Sequence, residues 1–445
     1  MHYPHLLIAI CIKLVICCTV SLRGVPVAIS TVLKEYFPKK YPKVPSRTSV
    51  MRWIKRFGLY KLKAPLLRGD WMVIVDFSIQ TGKSKCLVIL GIPYDKFHED
   101  KILSLEDMTI VSLGVHEKCN GEAVEKALEY AERRLGRIVG ICSDQGSEIN
   151  VGVKSFQKNR HYSVYNSDIT HKVAIFLKQI LENNPLWNEF CSQANLTRSQ
   201  VQQTSLAHYK PPSQRSKCRF MNLEPLVNWG VKMLDHLHEL KQDMSDESKA
   251  TLEQFKWLEK YSGLIQECSE LIEVAQISRE VVRTQGYCTK TTFLLEERLL
   301  YLSHGSKAIH LAEGVLDFVG EQVEKVPKGE RRIGSSEIIE SLFGKLKAIE
   351  GEKNKEGFTG FVLSASACVG RCDTDFIVEA MKNTTHKEVL KWEAENIGQS
   401  TFALRQTKFS AKTAKIQHPD SQFDEEEIVG RKLTGSISED TQKTA

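Results

Sequence analysis

The apolar residues of this chain change their spacing once, and that change limits what the chain can fold into. From Gly69 to Asp168 they come in short runs rich in Val and Ile, broken by Gly, Asn and Asp: WMVIVDFS, KCLVILGI, MTIVSLGV and RIVGICSD. Runs of that length and make-up are strands. One helical pattern interrupts them, GEAVEKALEYAERRLG behind the cap Asn120, with Val124, Leu128 and Ala131 on one face. From 172 to 326 the spacing is helical, as in LVNWGVKMLDHLHELKQ and TLEQFKWLEKYSGLIQECSELIEVAQI. A hairpin, a third strand, a helix and a strand returning beside the first make an α/β domain with a mixed sheet. Into it an all-helical segment is inserted.

With 42% hydrophobic and 26% charged residues the chain is neither disordered nor fibrous. Its charge is uneven. Residues 1–69 hold thirteen Lys and Arg against one acid, Glu35, whereas the other 376 residues sum to −6. Such asymmetry points to a polyanion-binding segment joined to a body of different purpose. The twelve cysteines are scattered, and the only close ones, Cys17-Cys18 and Cys368-x3-Cys372, lack zinc-site spacing, so they read as reduced thiols. The run His5–Val20 is interrupted by Lys13 and has no small-residue cleavage site, so it reads as a buried helix, not a signal or anchor. The expectation is a protein without a membrane partner, cytoplasmic and nucleoid-associated. The start is abrupt, as it would be if an upstream segment were missing.

Ser46 begins a helix, RTSVMRWIKRFGLYKL, with Val50, Ile54 and Phe57 on one face and Arg47, Arg52, Lys55 and Arg56 at other positions. An apolar stripe for docking and a basic side for phosphates and base edges are what a helix-turn-helix recognition helix requires. A solvated basic face is the plainer alternative. The charge of the whole segment favours DNA.

Two aspartates stand out. Asp76 lies inside the apolar strand WMVIVDFS, where an unpaired carboxylate is costly. Asp144 closes the strand IVGICSD, at the carboxyl end where α/β folds place ligands. The topology sets these strands side by side, and a divalent cation is the usual remedy for two adjacent carboxylates. A third acid is expected from the helix SSEIIESLFGKLKAIEG, where Glu337, Glu340, Gly344 and Lys347 share one face and Ile338, Ile339, Leu342 and Leu346 fill the other. Asp168 and His171, in YNSDITHK, read first as a helix cap and a surface histidine, and second as neighbours of the site.

These residues resemble the DDE superfamily of insertion-sequence transposases, which share a ribonuclease H-like fold with retroviral integrases. The resemblance rests on WMVIVDFS with Asp76, ICSDQGSE with Asp144, and the Glu340-x6-Lys347 spacing, and covers about residues 1–385. The chain departs from the family box in which Tyr and Arg precede the Glu, since Ser336 stands at the Arg position and Arg331 and Arg332 lie just upstream. The resemblance implies Asp76, Asp144 and Glu340 as ligands of two Mg²⁺ ions, with Mn²⁺ as a substitute and Glu337 as the fallback third acid. It implies cleavage of transposon ends by water and attack of the freed 3′-OH on target DNA, with Lys347 and Arg332 on the DNA backbone. The implied partners are double-stranded transposon ends and target, and a homodimer or higher assembly.

The resulting division is a helix-turn-helix domain at 1–66, a ribonuclease H-like catalytic domain at 67–171 and 329–385, an all-helical insertion at 172–328 and a polar, disordered tail at 386–445. Two other functions compete: a catalytically inactive DNA-binding protein of the same fold, and a host nuclease that cuts without joining.

Overall fold

Three helices precede the first strand: α1 (His5–Ile16), α2 (Gly24–Tyr36) and α3 (Arg47–Lys63). Ser46 caps α3, its Oγ accepting from the Ser49 amide at 3.2 Å. The apolar run near the start is α1, with Ile8, Cys11, Ile12 and Val15 buried. Among the described residues no helix is long and apolar enough to cross a membrane. The computed structural model describes residues 3–36, 43–81, 84–116, 119–214, 220, 223–241, 243, 245–300, 305–350 and 360–397, all within one compact unit.

The Val- and Ile-rich runs form one mixed five-stranded sheet in the order β3-β2-β1-β4-β5. β1 (Gly69–Thr81) pairs antiparallel with β2 (Ser84–Pro93), and β2 with β3 (Thr109–His116). α4 (Gly121–Leu135) follows, capped by Asn120, whose Oδ1 accepts from the Ala123 amide at 3.1 Å. β4 (Gly136–Ser143) then runs parallel to β1, and beyond α5 (Ser147–Gln157) β5 (Val164–Ser167) runs parallel to β4. Gly136 makes the return tight: its φ is +110°, and a Cβ there would lie 2.6 Å from the Gly69 carbonyl oxygen. Strand alternation sends Trp71, Val73 and Val75 towards α4 and α5, where they bury with Val124, Leu128 and Phe156. Met72, Ile74 and Asp76 take the opposite face.

The segment after β5 is helical: α6 (Ile169–Leu181), α7 (Pro185–Val201), α8 (Glu224–Leu240), α9 (Asp246–Phe255), α10 (Ser262–Gln285), α11 (Thr289–Leu300) and α12 (Ser306–Glu324). It has its own core around Trp187, Phe190, Phe255, Leu271 and Val315. Its two ends meet at the sheet. The Ile169 amide donates to the Gly334 carbonyl at 3.0 Å, and the Ser167 amide to Gln322 Oε1 at 3.0 Å.

The chain finishes its described part with α13 (Glu337–Glu350), α14 (Leu363–Cys368), α15 (Thr374–Asn383) and α16 (His386–Asn396). These helices and the first ones cover the same sheet face, and two expected boundaries move as a result. Ile12, Ile54 and Phe57 share one core with Met72, Ile74 and Leu90 and with Ile339, Leu342, Ile377 and Trp392. Residues 1–66 are therefore half of a joint layer, not a module with a core of its own. α3 lies so close to α14 that a Cβ on Gly58 would fall 2.0 Å from the Leu363 carbonyl oxygen. The expected tail is also shortened, because 386–396 is a helix with a Thr385–Glu388 capping box and a buried Val389 and Trp392. The rest of that tail lies outside the described residues.

Candidate active site

Sheet register brings three aspartates into one row. Ile74 is paired with Cys142 across β1 and β4, and Ser143 with Ser167 across β4 and β5. Counting on in parallel register places Asp76 beside Asp144 and Asp144 beside Asp168, and the Asp168 amide donates to the Ser143 carbonyl at 2.9 Å. Parallel neighbours stand about 4.8 Å apart, so three acids occupy the width of three strands. Just beyond Asp144 the backbone turns sharply. Its Oδ1 accepts from the Gly146 amide at 2.9 Å, and Gln145 holds a left-handed φ of +61°, uncommon for a residue with a side chain.

α13 crosses above this row with its apolar side, Ile338, Ile339, Leu342 and Leu346, buried in the joint core. Its two glutamates differ in company. Glu337 accepts a 2.6 Å hydrogen bond from Thr170 Oγ1 and pairs with Arg283 of α10 at 3.0 Å, so the insertion grips the start of α13 through it. Glu340, one turn further, has no Lys or Arg paired with it among the described residues and keeps contact with solvent. Lys347 is exposed two turns along the same helix. Asp168 does two things at once. Its Oδ1 caps α6 by accepting from the Thr170 amide at 3.0 Å, and its Oδ2 accepts from Ser336 Oγ at 2.9 Å.

The carboxylates perturb one another. Burial pushes Asp76 up to about 7, and the charges of Asp144, Glu340 and Asp168 add to it, against a backbone hydrogen bond at Phe77. Burial raises Asp168 to about 6, opposed by the hydrogen bonds from Ser336 and Thr170. Glu340 is raised by its surroundings and then by Asp168, Glu337 and Asp144, with Lys347 pulling the other way. Among the described residues no three His, Cys, Asp or Glu side chains meet closely enough to enclose a metal ion. The bay is thus lined by acids that feel one another without closing on a point. Its chemistry still fits a hard cation: the donors are all carboxylate oxygens, Asp76 is half-buried, and no Lys or Arg pairs with Asp76, Asp144 or Glu340 among the described residues. A cleft of about 480 Å³ opens beside it, walled by Ile74, Arg283, Glu337, Ser341 and Lys345.

The residues expected on DNA are divided by the structure. Arg47 and Arg52 are exposed on α3. Lys55 pairs instead with Glu393 of α16 at 2.9 Å, and Arg56 donates to the Thr384 and Met381 carbonyls at 2.6 and 2.5 Å. They clamp α3 to the last helices. Arg332 is the clearest correction. It is 2% exposed, donates from Nε to the Val139 carbonyl at 2.9 Å and pairs with Glu330 at 2.5 Å, so it props β4 from inside. The row position of Asp168 was not part of the expected acid set. The sequence offers it only as a helix cap first and a neighbour of the site second.

Comparison with protein-family models finds no match, and comparison with curated proteins finds none. Among solved structures the chain is similar to the Drosophila P element transposase strand transfer complex, with 12% identity over 87% of this chain and 93% of that one, at a TM-score of 0.40. A likeness this distant leaves the functional reading to the site itself.

Proposed function

We propose that this chain is a DDE-type DNA transposase, a recombinase that cuts DNA strands and joins them to a new target. The observation that carries the reading is the acid bay. Sheet register sets Asp76 beside Asp144, and Glu340 stands on α13 near enough for its charge and theirs to act on one another. The sequence resemblance, carried by the same acids, agrees with it. A half-buried aspartate beside other acids is costly, and a bound cation would relieve that cost.

In this reading Asp76, Asp144 and Glu340 would hold two Mg²⁺ or Mn²⁺ ions, which supply an activated oxygen nucleophile and charge neutralisation at the scissile phosphate. The chain's own residues do the rest. Glu337 stays with Arg283 and Thr170 and would fix the pitch of α13, the helix that carries Glu340. Asp168 fixes the end of β5 and the Ser336 turn that leads into α13. Lys347 offers a cation to a backbone phosphate on the open side. Arg47 and Arg52 remain free to contact DNA further out. Joining two ends to one target calls for at least two copies of the chain.

The test uses the full chain, duplexes copied from the DNA flanking its gene, and a plasmid target. Nicked ends and joined products that need Mg²⁺ or Mn²⁺ are expected. Cleavage without joining would overturn the reading in favour of a nuclease. Binding without cleavage in either metal would favour an inactive DNA-binding protein. A second expectation separates the two glutamates. Glu337→Gln keeps a hydrogen bond to Thr170 and should leave cleavage within about fivefold of the parent, whereas Glu340→Gln should cost roughly a hundredfold. Gel quantification of nicked strands checks both, and equal losses would make Glu337 a ligand in its own right.

A further inference from the structure

The helical insertion carries a groove, remote from the acid row in sequence, that neither the cation chemistry nor the core explains. It has a volume of about 450 Å³ and lies between the short turn Ser205–Tyr209 and α8, bounded by His208, Tyr209, Asn228, Trp229, Lys232 and His236. Polar atoms of three of its rings, Tyr209, Trp229 and His236, are already engaged. Trp229 Nε1 donates to the Tyr209 carbonyl at 2.9 Å, and Tyr209 Oη meets His236 Nε2 at 2.8 Å, while His236 Nδ1 stands 3.7 Å from Glu239. Behind them Phe255 and Trp257 pack on Trp229 with centroids 6.3 Å away, so this side of the shelf belongs to the core. On the outer side His208 lies over Tyr209 at 3.9 Å and is exposed, as is Lys232.

A shelf of rings in which Tyr209, Trp229 and His236 are held by hydrogen bonds, with Lys232 at the rim, suits ligands with flat faces and negative linkers. The sequence leading into α8 is consistent with that: Arg198 and Lys210 lie among its described residues, and from Phe190 to Leu223 it holds no Asp or Glu. The groove is also tied to the acid bay. Arg283 grips Glu337, and one turn back on α10 Arg279 approaches Glu224, at the start of the helix that carries Trp229 and Lys232, to 3.8 Å.

We infer that this groove binds single-stranded DNA, stacking unpaired bases on His208, Tyr209 and Trp229 while Lys232 meets the backbone. A duplex keeps its bases stacked on one another and cannot use the shelf. A frayed or freshly cut end can. The inference rests on the reading of the chain as a DNA-processing protein, but it does not depend on cleavage.

Fluorescence anisotropy on the full chain tests it, with a short labelled single strand and the matching duplex as probes. His208→Ala and Lys232→Glu alter exposed side chains, and their melting curves should overlay that of the parent. Each should weaken single-strand binding about tenfold and leave duplex binding within about twofold, and Lys232→Glu should also flatten the salt dependence. Unchanged single-strand affinity, or parallel losses for strand and duplex, would overturn the inference. So would a mononucleotide that binds as tightly as the strand. Groove-dependent strand binding in a chain that never cleaves would sink the transposase reading and leave the groove standing.

Discussion

Asp76→Asn should reduce metal-dependent cleavage by roughly a hundredfold or more, while DNA affinity stays within about threefold. The side chain keeps its shape and loses only its charge, so a loss of this size identifies the carboxylate as part of the reaction. Asp144→Asn should behave in the same way. Retention of more than about a tenth of the parent rate by either variant would remove that residue from the ligand set. The same substitution has a second, opposite consequence. Asp76 titrates at about 7 in the folded chain, above its ordinary 3.8, because burial and then Asp144 disfavour its charged form. Between those values the folded state binds more protons than the unfolded one, so stability falls as pH rises from about 4 towards 7. Asp168, raised to about 6, adds to the lower part of that window. In chelator, the melting temperature of the parent should drop between pH 5 and pH 8, and Asp76→Asn should remove much of the drop. A variant that is less active, yet more stable at neutral pH, is the combined signature. A flat pH profile in the parent would contradict the strain assigned to the acid row.

The largest effect on stability is expected at Arg332→Ala, about 3–5 kcal/mol, read as a lower urea midpoint at unchanged slope. The side chain is 2% exposed and fills space so closely that a Cβ on Gly140 would lie 2.6 Å from its Cδ. Its guanidinium satisfies the Val139 carbonyl, pairs with Glu330 and lies 5.3 Å from the Tyr94 ring centroid. Truncation leaves a cavity and a buried carbonyl without its partner. Backbone bonds on both sides of the residue, with Tyr287 at 2.7 and 3.1 Å, fasten the insertion to the sheet at the same point. Weakened DNA binding with stability intact would instead return Arg332 to the role that the sequence suggested.

The contrast between Arg332 and Asp76 shows what the sequence makes legible. Local signals carry a long way: the caps at Ser46 and Asn120, the strand runs and the helical insertion are written in short stretches, and strand order follows from connection rules. An acid inside an apolar strand is equally conspicuous. What is not legible is which surface of a helix is covered by residues hundreds of positions away. The stripe on α3 predicted one docked side. Three of its cations are instead consumed by the far end of the chain, Lys55 by Glu393, Arg56 by Met381 and Thr384, and Lys61 by Ala367 and Val369. Counting charge cannot distinguish a lysine awaiting phosphate from one awaiting a carbonyl. Asp168 was hidden for another reason. Capping a helix explains an aspartate in full, and only sheet register shows that the same residue stands in line with two others.

The joint layer made by the two ends of the chain also sets a timetable for biosynthesis. α1 and α3 leave the ribosome before the sheet, yet Ile12, Ile54 and Phe57 gain their full cover only with α14, α15 and Trp392 of α16. At 5–20 residues per second, that wait is on the order of half a minute. The helical insertion, whose core is drawn from one continuous stretch, can close during the interval. A nascent chain of this design therefore carries apolar helices without their full cover until α14, α15 and α16 have been made.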